Sequence, residues 1–307
     1  MQKILEKEHY KRPFFTTVIL LLIVVILVRL FLLPLADPNL SLEWPKFIAS
    51  LLDKFSTSLI VTIFIGIFIF WFTPKIVKKS KMEVLEPKEI SKLLKNATQD
   101  SRSWIFKGAT GRYTRSSTLP LMAEAARHES IGRDIRICLI NPDNTKLCEE
   151  YATYRRSLKS ASKSKPWDSK RVQNEVIATI VSALITQHDE PLLRITIHLI
   201  DTFSSFRLDI SDFYVVITKE DKEATALRAD IGTYFYDSYK DEVRLIERQS
   251  KKVTIDEEIS SLDKVKFTEN ELKEYLQHIN ILPSNDIENL DLKTISNLIK
   301  NPENPYA

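Results

Sequence analysis

The sequence predicts an α/β protein built as an N-terminal transmembrane helical hairpin, a cytoplasmic mixed α/β layer domain and a short helical C-terminal tail. Three observations predict it. Two long apolar segments fall within the first 72 of 307 residues. Strand-like and helix-like runs alternate from about residue 100 to 250, which argues for a layered α/β domain. Apolar residues then return at helical spacing to the end of the chain. The expected divisions are 1–81 for the hairpin with its basic flanks, 82–252 for the domain and 253–307 for the tail.

The first apolar segment is Phe14–Leu35 and the second has its core at 55–72, with an apolar-rich lead-in from Trp44. At 1.5 Å per residue the second core makes a helix of roughly 27 Å, close to the hydrocarbon thickness of a bilayer. Lys3, Lys7, Lys11 and Arg12 precede the first span, and Lys75, Lys78, Lys79 and Lys81 follow the second. The connector at 36–46 carries only Asp37, Glu43 and Lys46. Lysine and arginine bias sets topology, so a two-pass protein with both termini cytoplasmic is expected. A cleaved signal peptide fits less well: the apolar stretch is too long, and Pro34-Leu35-Ala36 is a poor cleavage site.

Inside the first span lies Arg29, where a charge is costly unless it snorkels, pairs or meets water. Snorkelling to the headgroups is one reading. The other places Arg29 with Ser56, Thr57, Ser58 and Thr62 on the lining of a pore. Two spans cannot enclose a water path alone, so that reading needs a homo-oligomer. Hydroxyls in a membrane helix also bond back to their own carbonyls, which is the plainer role for these four. Gly66 permits close approach of a neighbouring helix.

Composition excludes several chemistries. The net charge of +3 is far from that of a dedicated nucleic-acid binder, and part of it is the juxtamembrane cluster that anionic lipid attracts. Five glycines in the whole chain argue against Rossmann and P-loop enzymes, whose turns need them. Cys138 and Cys148 read as reduced, buried small residues, and none of the five histidines has a metal-like neighbourhood. His198 sits in a strand-like run and reads as a satisfied imidazole. Asp209, Asp212 and Glu220 have the chemistry of hard-cation ligands but match no defined loop, and read as solvated turn carboxylates. No metal and no cofactor is expected.

The domain's elements follow from local pattern. A polar helical connector is expected over 82–100, with Pro87 near its start. Strands follow at 104–109, 134–140, 193–199 and 213–218. Helices are expected at 119–127, with Pro120 in the first turn, and at 145–158, 171–187 and 238–249. Asn141-Pro142-Asp143-Asn144 is a strong turn signal, and the Ser/Lys-rich run KSASKSKPWDSK breaks the chain between two helices. In the tail, Thr268 and Glu271 have capping-box spacing, and Pro283 divides two amphipathic stretches that either dock as a pair or stay solvated.

The segment WIFKGATGRYTRSSTLP, from Trp104, carries the strongest chemical signal. Gly108 and Gly111 follow a strand and precede a helix; Lys107, Arg112 and Arg115 lie among Thr110, Thr114, Ser116, Ser117 and Thr118. Turn N–H groups, hydroxyls and guanidinium forks together suit a phosphate or another anion. The candidate ligand-binding set is therefore Lys107, Gly108, Gly111, Arg112, Thr114, Arg115 and, from the following helix, Arg155. A polar loop with two turn glycines and a helix cap is the plainer reading; an anion site, with a nucleotide signal as its ligand, is the alternative.

The runs WIFKGATGRYTRSSTLPLMAEAARHE, IRICLINPDNTKLCEEYATYRRS and FRLDISDFYVVITKEDKEATALR resemble the cytoplasmic module of bacterial two-transmembrane anti-phage effectors, of the retron-associated type. The soluble part also resembles the phospholipase D-like fold. That resemblance implies a bacterial inner-membrane protein which, released or activated by a partner, permeabilises or depolarises the membrane and arrests the infected cell. The implied partner is a reverse transcriptase with its RNA–DNA hybrid. Active phospholipase D-like enzymes carry H-x-K. Here Leu199 and Ile200 follow His198, and His9-Tyr10-Lys11 precedes the first span. Without that nucleophile no catalytic residue carries over, so a sensor or assembly platform is expected rather than a tethered phosphodiesterase or lipase.

Overall fold

The computed structural model describes residues 8–36, 43–72, 79–159, 166–221, 223–255 and 262–305. Lys3, Lys7, Asp37, Lys75, Lys78 and positions 160–165 of the Ser/Lys-rich run lie outside the described residues. The chain divides into two compact units, Met1–Lys78 and Lys79–Ala307.

The first unit is a pair of helices. Helix α1 (Glu8–Leu27) continues through a π-helical turn (Val28–Leu32) and a last short turn (Leu33–Ala36), and α2 spans Glu43–Phe72. Both are long and apolar enough to cross a membrane. Their apolar windows, Phe14–Leu35 and Glu43–Phe68, are only 11% and 6% buried within the protein. A core helix of a water-soluble domain buries most of its apolar surface, and these two helices do not. Gly66 lets the pair approach: a Cβ there would sit 3.1 Å from the Phe15 ring.

Arg29 differs from the snorkelling expectation. It lies in the π-turn, and its Nε is 3.1 Å from Asp53 Oδ1 of α2. A charge in a lipid-facing helix is best tolerated when paired, and Asp53 stands in the lead-in where sequence pattern alone singled out nothing. Thr57 Oγ1 donates to Asp53 O and Thr62 Oγ1 to Ser58 O, at 2.9 and 2.8 Å. These are back-bonds to the helix's own carbonyls, and they leave those hydroxyls satisfied without a lumen.

The second unit is a mixed sheet between helical layers. In chain order its elements are β1 (Glu83–Leu85), α3 (Pro87–Asp100), β2 (Ser103–Lys107), α4 (Leu119–Glu129), β3 (Arg133–Ile140), α5 (Thr145–Ser157), α6 (Ser169–Asp189), β4 (Leu193–Ile200), β5 (Phe206–Ile210), β6 (Tyr214–Lys219), β7 (Ala226–Asp230), α7 (Tyr234–Gln249), β8 (Lys251–Lys252), α8 (Glu269–Gln277), α9 (Ser284–Ile287) and α10 (Leu292–Lys300). The eight strands lie in the order β1-β7-β6-β5-β2-β3-β4-β8. The centre, β2-β3-β4, is parallel, with Ile135 between Trp104 and Ile195. Crossover helices make that arrangement possible. On the other side of β2 the chain returns antiparallel, β5 then β6 then β7.

Period-two alternation sorts the side chains. Trp104, Phe106, Ile135, Ile137, Leu139 and Ile197 face one core, shared with α3, α4, α5 and α6. Ile105, Cys138, Leu208, Ile210, Val215 and Ile217 face a smaller one, closed by Tyr236 and Val243 of α7. Both cysteines are free and buried. Burial pushes their thiols up, Cys138 to about 12 and Cys148 to about 11, so neither is a reactive thiolate at neutral pH.

Two local expectations change, and the choice between two readings of the tail is made. The 82–100 connector splits into β1, which pairs with β7, and α3, which starts at Pro87. Strands β5 and β7 arise where charged residues masked the alternation. The tail is docked, not solvated: Leu272, Leu276, Ile295 and Ile299 are fully buried in the main core, and the Thr268–Glu271 capping box forms. Each buried isoleucine or leucine contributes about 1.5–3 kcal/mol, more than a solvated amphipathic pair retains.

Candidate anion-binding cleft

Beyond the carboxyl end of β2 the chain turns at Gly111, whose φ is +66°. The turn presents Thr110, Arg112 and Tyr113 to a narrow cleft with about 40 Å³ of free space. Tyr151 and Arg155 of α5, Trp167, Arg207 of β5 and the β6 end Lys219-Glu220-Asp221 complete it, with Pro305 at the rim. In β2 the sheet changes direction, since one neighbour is parallel and the other antiparallel.

Trp167 organises the cations. It is 3% exposed, and the guanidiniums of Arg171, Arg155 and Arg112 lie 4.3, 4.9 and 5.7 Å from its ring centre. Cation–π attraction of this kind fixes forks that would otherwise repel one another. Tyr151 meets the same indole edge-on, at 6.2 Å. Burial drives the Tyr151 hydroxyl well above its ordinary titration range, so it stays a neutral donor. Arg207 stacks over Tyr113 at 6.0 Å.

Carboxylates balance the guanidiniums unevenly. Arg155 Nη1 donates to Glu220 O, and its ion pair with the Glu220 carboxylate is 3.4 Å. Arg207 Nε is 2.9 Å from Asp209 Oδ2. Glu175 is shared: Arg115 Nη2 lies 2.6 Å from one oxygen and Arg112 Nε 3.3 Å from the other. Burial lowers the Arg115 and Arg171 pKa values, and the charge of Arg112 lowers both further. The neighbourhood holds more positive charge than its fixed carboxylates offset, the condition for attracting an anion.

The structure brings together Gly111, Arg112 and Arg155 from the sequence-derived set. Arg115 is internal: its side chain is 1% exposed, and it donates also to Glu175 O and Thr179 Oγ1, at 2.9 and 3.0 Å. It props the loop from beneath. Thr114 is buried beside it in the π-turn Thr114–Thr118. Lys107 is buried on the opposite sheet face, with the Glu242 carboxylate and the neutral Cys138 thiol in its surroundings, and does not reach the cleft. Gly108 lies against Phe106 and Arg207 and makes room for them. Arg207, Lys219, Tyr151 and Trp167 escaped the sequence reading; only Trp167, inside the Ser/Lys-rich break, left a local signal.

The remaining candidates are structural. Asp209 is not a solvated turn carboxylate: it is 1% exposed within β5. Burial raises its pKa, against the pull of Arg207. Asp212 accepts from the N–H groups of Arg102 and Ser103, at 2.7 and 3.1 Å. His198 Nδ1 is 2.9 Å from Ser250 Oγ.

No family model and no curated protein matches this chain. Among solved structures, it is similar to one described as the structure of TrmBL2, an archaeal chromatin protein, showing a novel mode of DNA binding. That likeness covers 68% of this chain and 66% of the other, at 10% identity and a TM-score of 0.33. At that score it carries no argument about this protein.

Proposed function

We propose that this chain is a membrane-anchored receptor whose α/β domain binds a small phosphate-bearing ligand, a nucleotide being the expected class. The observation that carries the proposal is the cleft at the end of β2, where Arg112 and Arg155 are held against Trp167 beside Arg207 and Lys219. Guanidinium forks match phosphate oxygens, and Phe106, Tyr113 and Tyr151 wall the cleft in which they would meet one. The hairpin tethers the domain; its basic flanks favour cytoplasmic termini, and the resemblance implies a bacterial inner membrane.

The test is calorimetric titration of the full chain in detergent with inorganic phosphate, 5′-AMP and cyclic AMP. Arg112→Ala and Arg155→Ala should each weaken binding by about 10- to 100-fold, since a charge-assisted hydrogen bond contributes roughly 1.5–3 kcal/mol. Equal heats from the variants and the parent, or none from any probe, would overturn the reading. Arg115→Ala is uninformative here, because Arg115 supports the loop.

A second reading concerns output, and the Arg29–Asp53 pair favours it. Ionisable residues within membrane helices are functional by default. In this reading ligand or partner binding shifts an existing oligomeric equilibrium, and associated hairpins permeabilise the membrane as an anti-phage effector does. A reverse transcriptase carrying its RNA–DNA hybrid is the macromolecular partner the resemblance proposes. Expression with gene neighbours, followed by a potential-sensitive dye, should show depolarisation that Asp53→Leu alters. A potential that holds under every phage trigger would exclude it.

A further inference from the structure

We propose that residues 301–305, after α10, are a displaceable cover on the cleft, with Glu303 holding the place on Arg112 that a ligand's anionic group takes. This rests on the cleft being an anion site. Helix α10 is fixed: Ile295 and Ile299 are fully buried. Lys300 Nζ donates to Phe267 O at 2.7 Å and lies 4.4 Å from its ring centre. The helix stops at Asn301, whose N–H reaches Asn297 O, and Pro302 cannot continue it. The chain then passes over the cleft mouth. Glu303 Oε2 is 3.5 Å from Arg112 Nη2, and Pro305 lines the rim.

The carboxylates around the cleft differ in what holds them. The Glu175, Asp209 and Glu220 side chains are 3%, 0% and 16% exposed, whereas Glu303 is 82% exposed. Its contact is also the longest of the carboxylate–guanidinium pairs at the cleft. An entering phosphate can remove Glu303 without opening the core, but cannot remove Glu175 without stranding Arg115. Once Glu303 leaves, Arg112 and Arg115 share a single carboxylate. Ligand entry and tail release are therefore one exchange of anions on Arg112, and the tail reports occupancy by its position.

The test titrates the full chain in detergent with 5′-AMP and, separately, inorganic phosphate. Glu303→Gln should tighten binding about two- to fivefold, the range an exposed ion pair controls. In an Arg112→Ala background the same change should have no effect. Asn304→Cys, carrying an environment-sensitive fluorophore, should respond to ligand as the cover leaves. Unchanged affinity in Glu303→Gln, with binding still lost in Arg112→Ala, overturns the cover and spares the site. Absence of binding in the parent, Glu303→Gln and Arg112→Ala alike overturns the site itself. Tightening by phosphate and 5′-AMP equally assigns the exchange to the phosphoryl group alone.

Discussion

Replacing Glu175 with Leu, while Arg115 remains, should lower the domain's stability by about 3–5 kcal/mol, because a buried cation loses its anion. The Arg115 and Glu175 side chains are 1% and 3% exposed and lie 2.6 Å apart. Arg112 loses the same partner. Against a typical total of about 5–15 kcal/mol this is a large share. Urea unfolding, followed through the buried Trp104 and Trp167, reads the loss as a lower midpoint. The paired change Arg115→Met with Glu175→Leu should recover much of it, since an apolar pair of similar volume removes the stranded charge. A midpoint equal to the parent's in the single variant would show that the ion pair does not hold the loop.

Gly111→Ala should be nearly as damaging, for a backbone reason. At φ +66° a Cβ meets its own carbonyl, costing about 1–2 kcal/mol. It would also stand 2.7 Å from Thr179 Cγ2 and 3.0 Å from Leu139 Cδ2, and overpacking of that kind costs about 1–3 kcal/mol. The expected loss is therefore about 2–5 kcal/mol. Thr179 cannot retreat, because its hydroxyl donates to Thr110 O at 2.7 Å and receives Arg115. Adding Thr179→Ser removes the closer methyl and keeps the hydroxyl, so it should restore part of the steric cost and leave the Leu139 contact and the backbone part. Full recovery, or none, would each contradict this division. Because the strain falls in the turn that presents Arg112, ligand affinity should fall with stability.

A part of the candidate cleft was legible because it depends on neighbours in sequence. The Gly111 turn between a strand and a helix, and the basic residues after it, are local signals, and Arg112 indeed faces the cleft. Arg115, three residues on, carries the same residue type to the opposite fate. Whether a guanidinium faces solvent or a buried carboxylate depends on Glu175, 60 positions away. Lys107 was misleading because strand alternation turns it away from Phe106. Arg207 and Asp209 show the converse: a strand with charges facing the core reads as surface until its buried partner is known.

What the sequence by itself determined are the features that local geometry imposes: two apolar helices of bilayer length, the order of central strands and helices, the Asn141–Asn144 turn and the capping box at Thr268. Each follows from period, propensity or length over a few turns of chain. Only the tertiary structure decided which cations share one cleft, that Trp167 gathers three of them, that Asp53 answers Arg29, and that Glu303 returns to Arg112 from 191 residues away. Those pairings need distant segments brought within a few ångströms, and Coulomb and stacking energies at such range leave no mark on the spacing of residues along the chain.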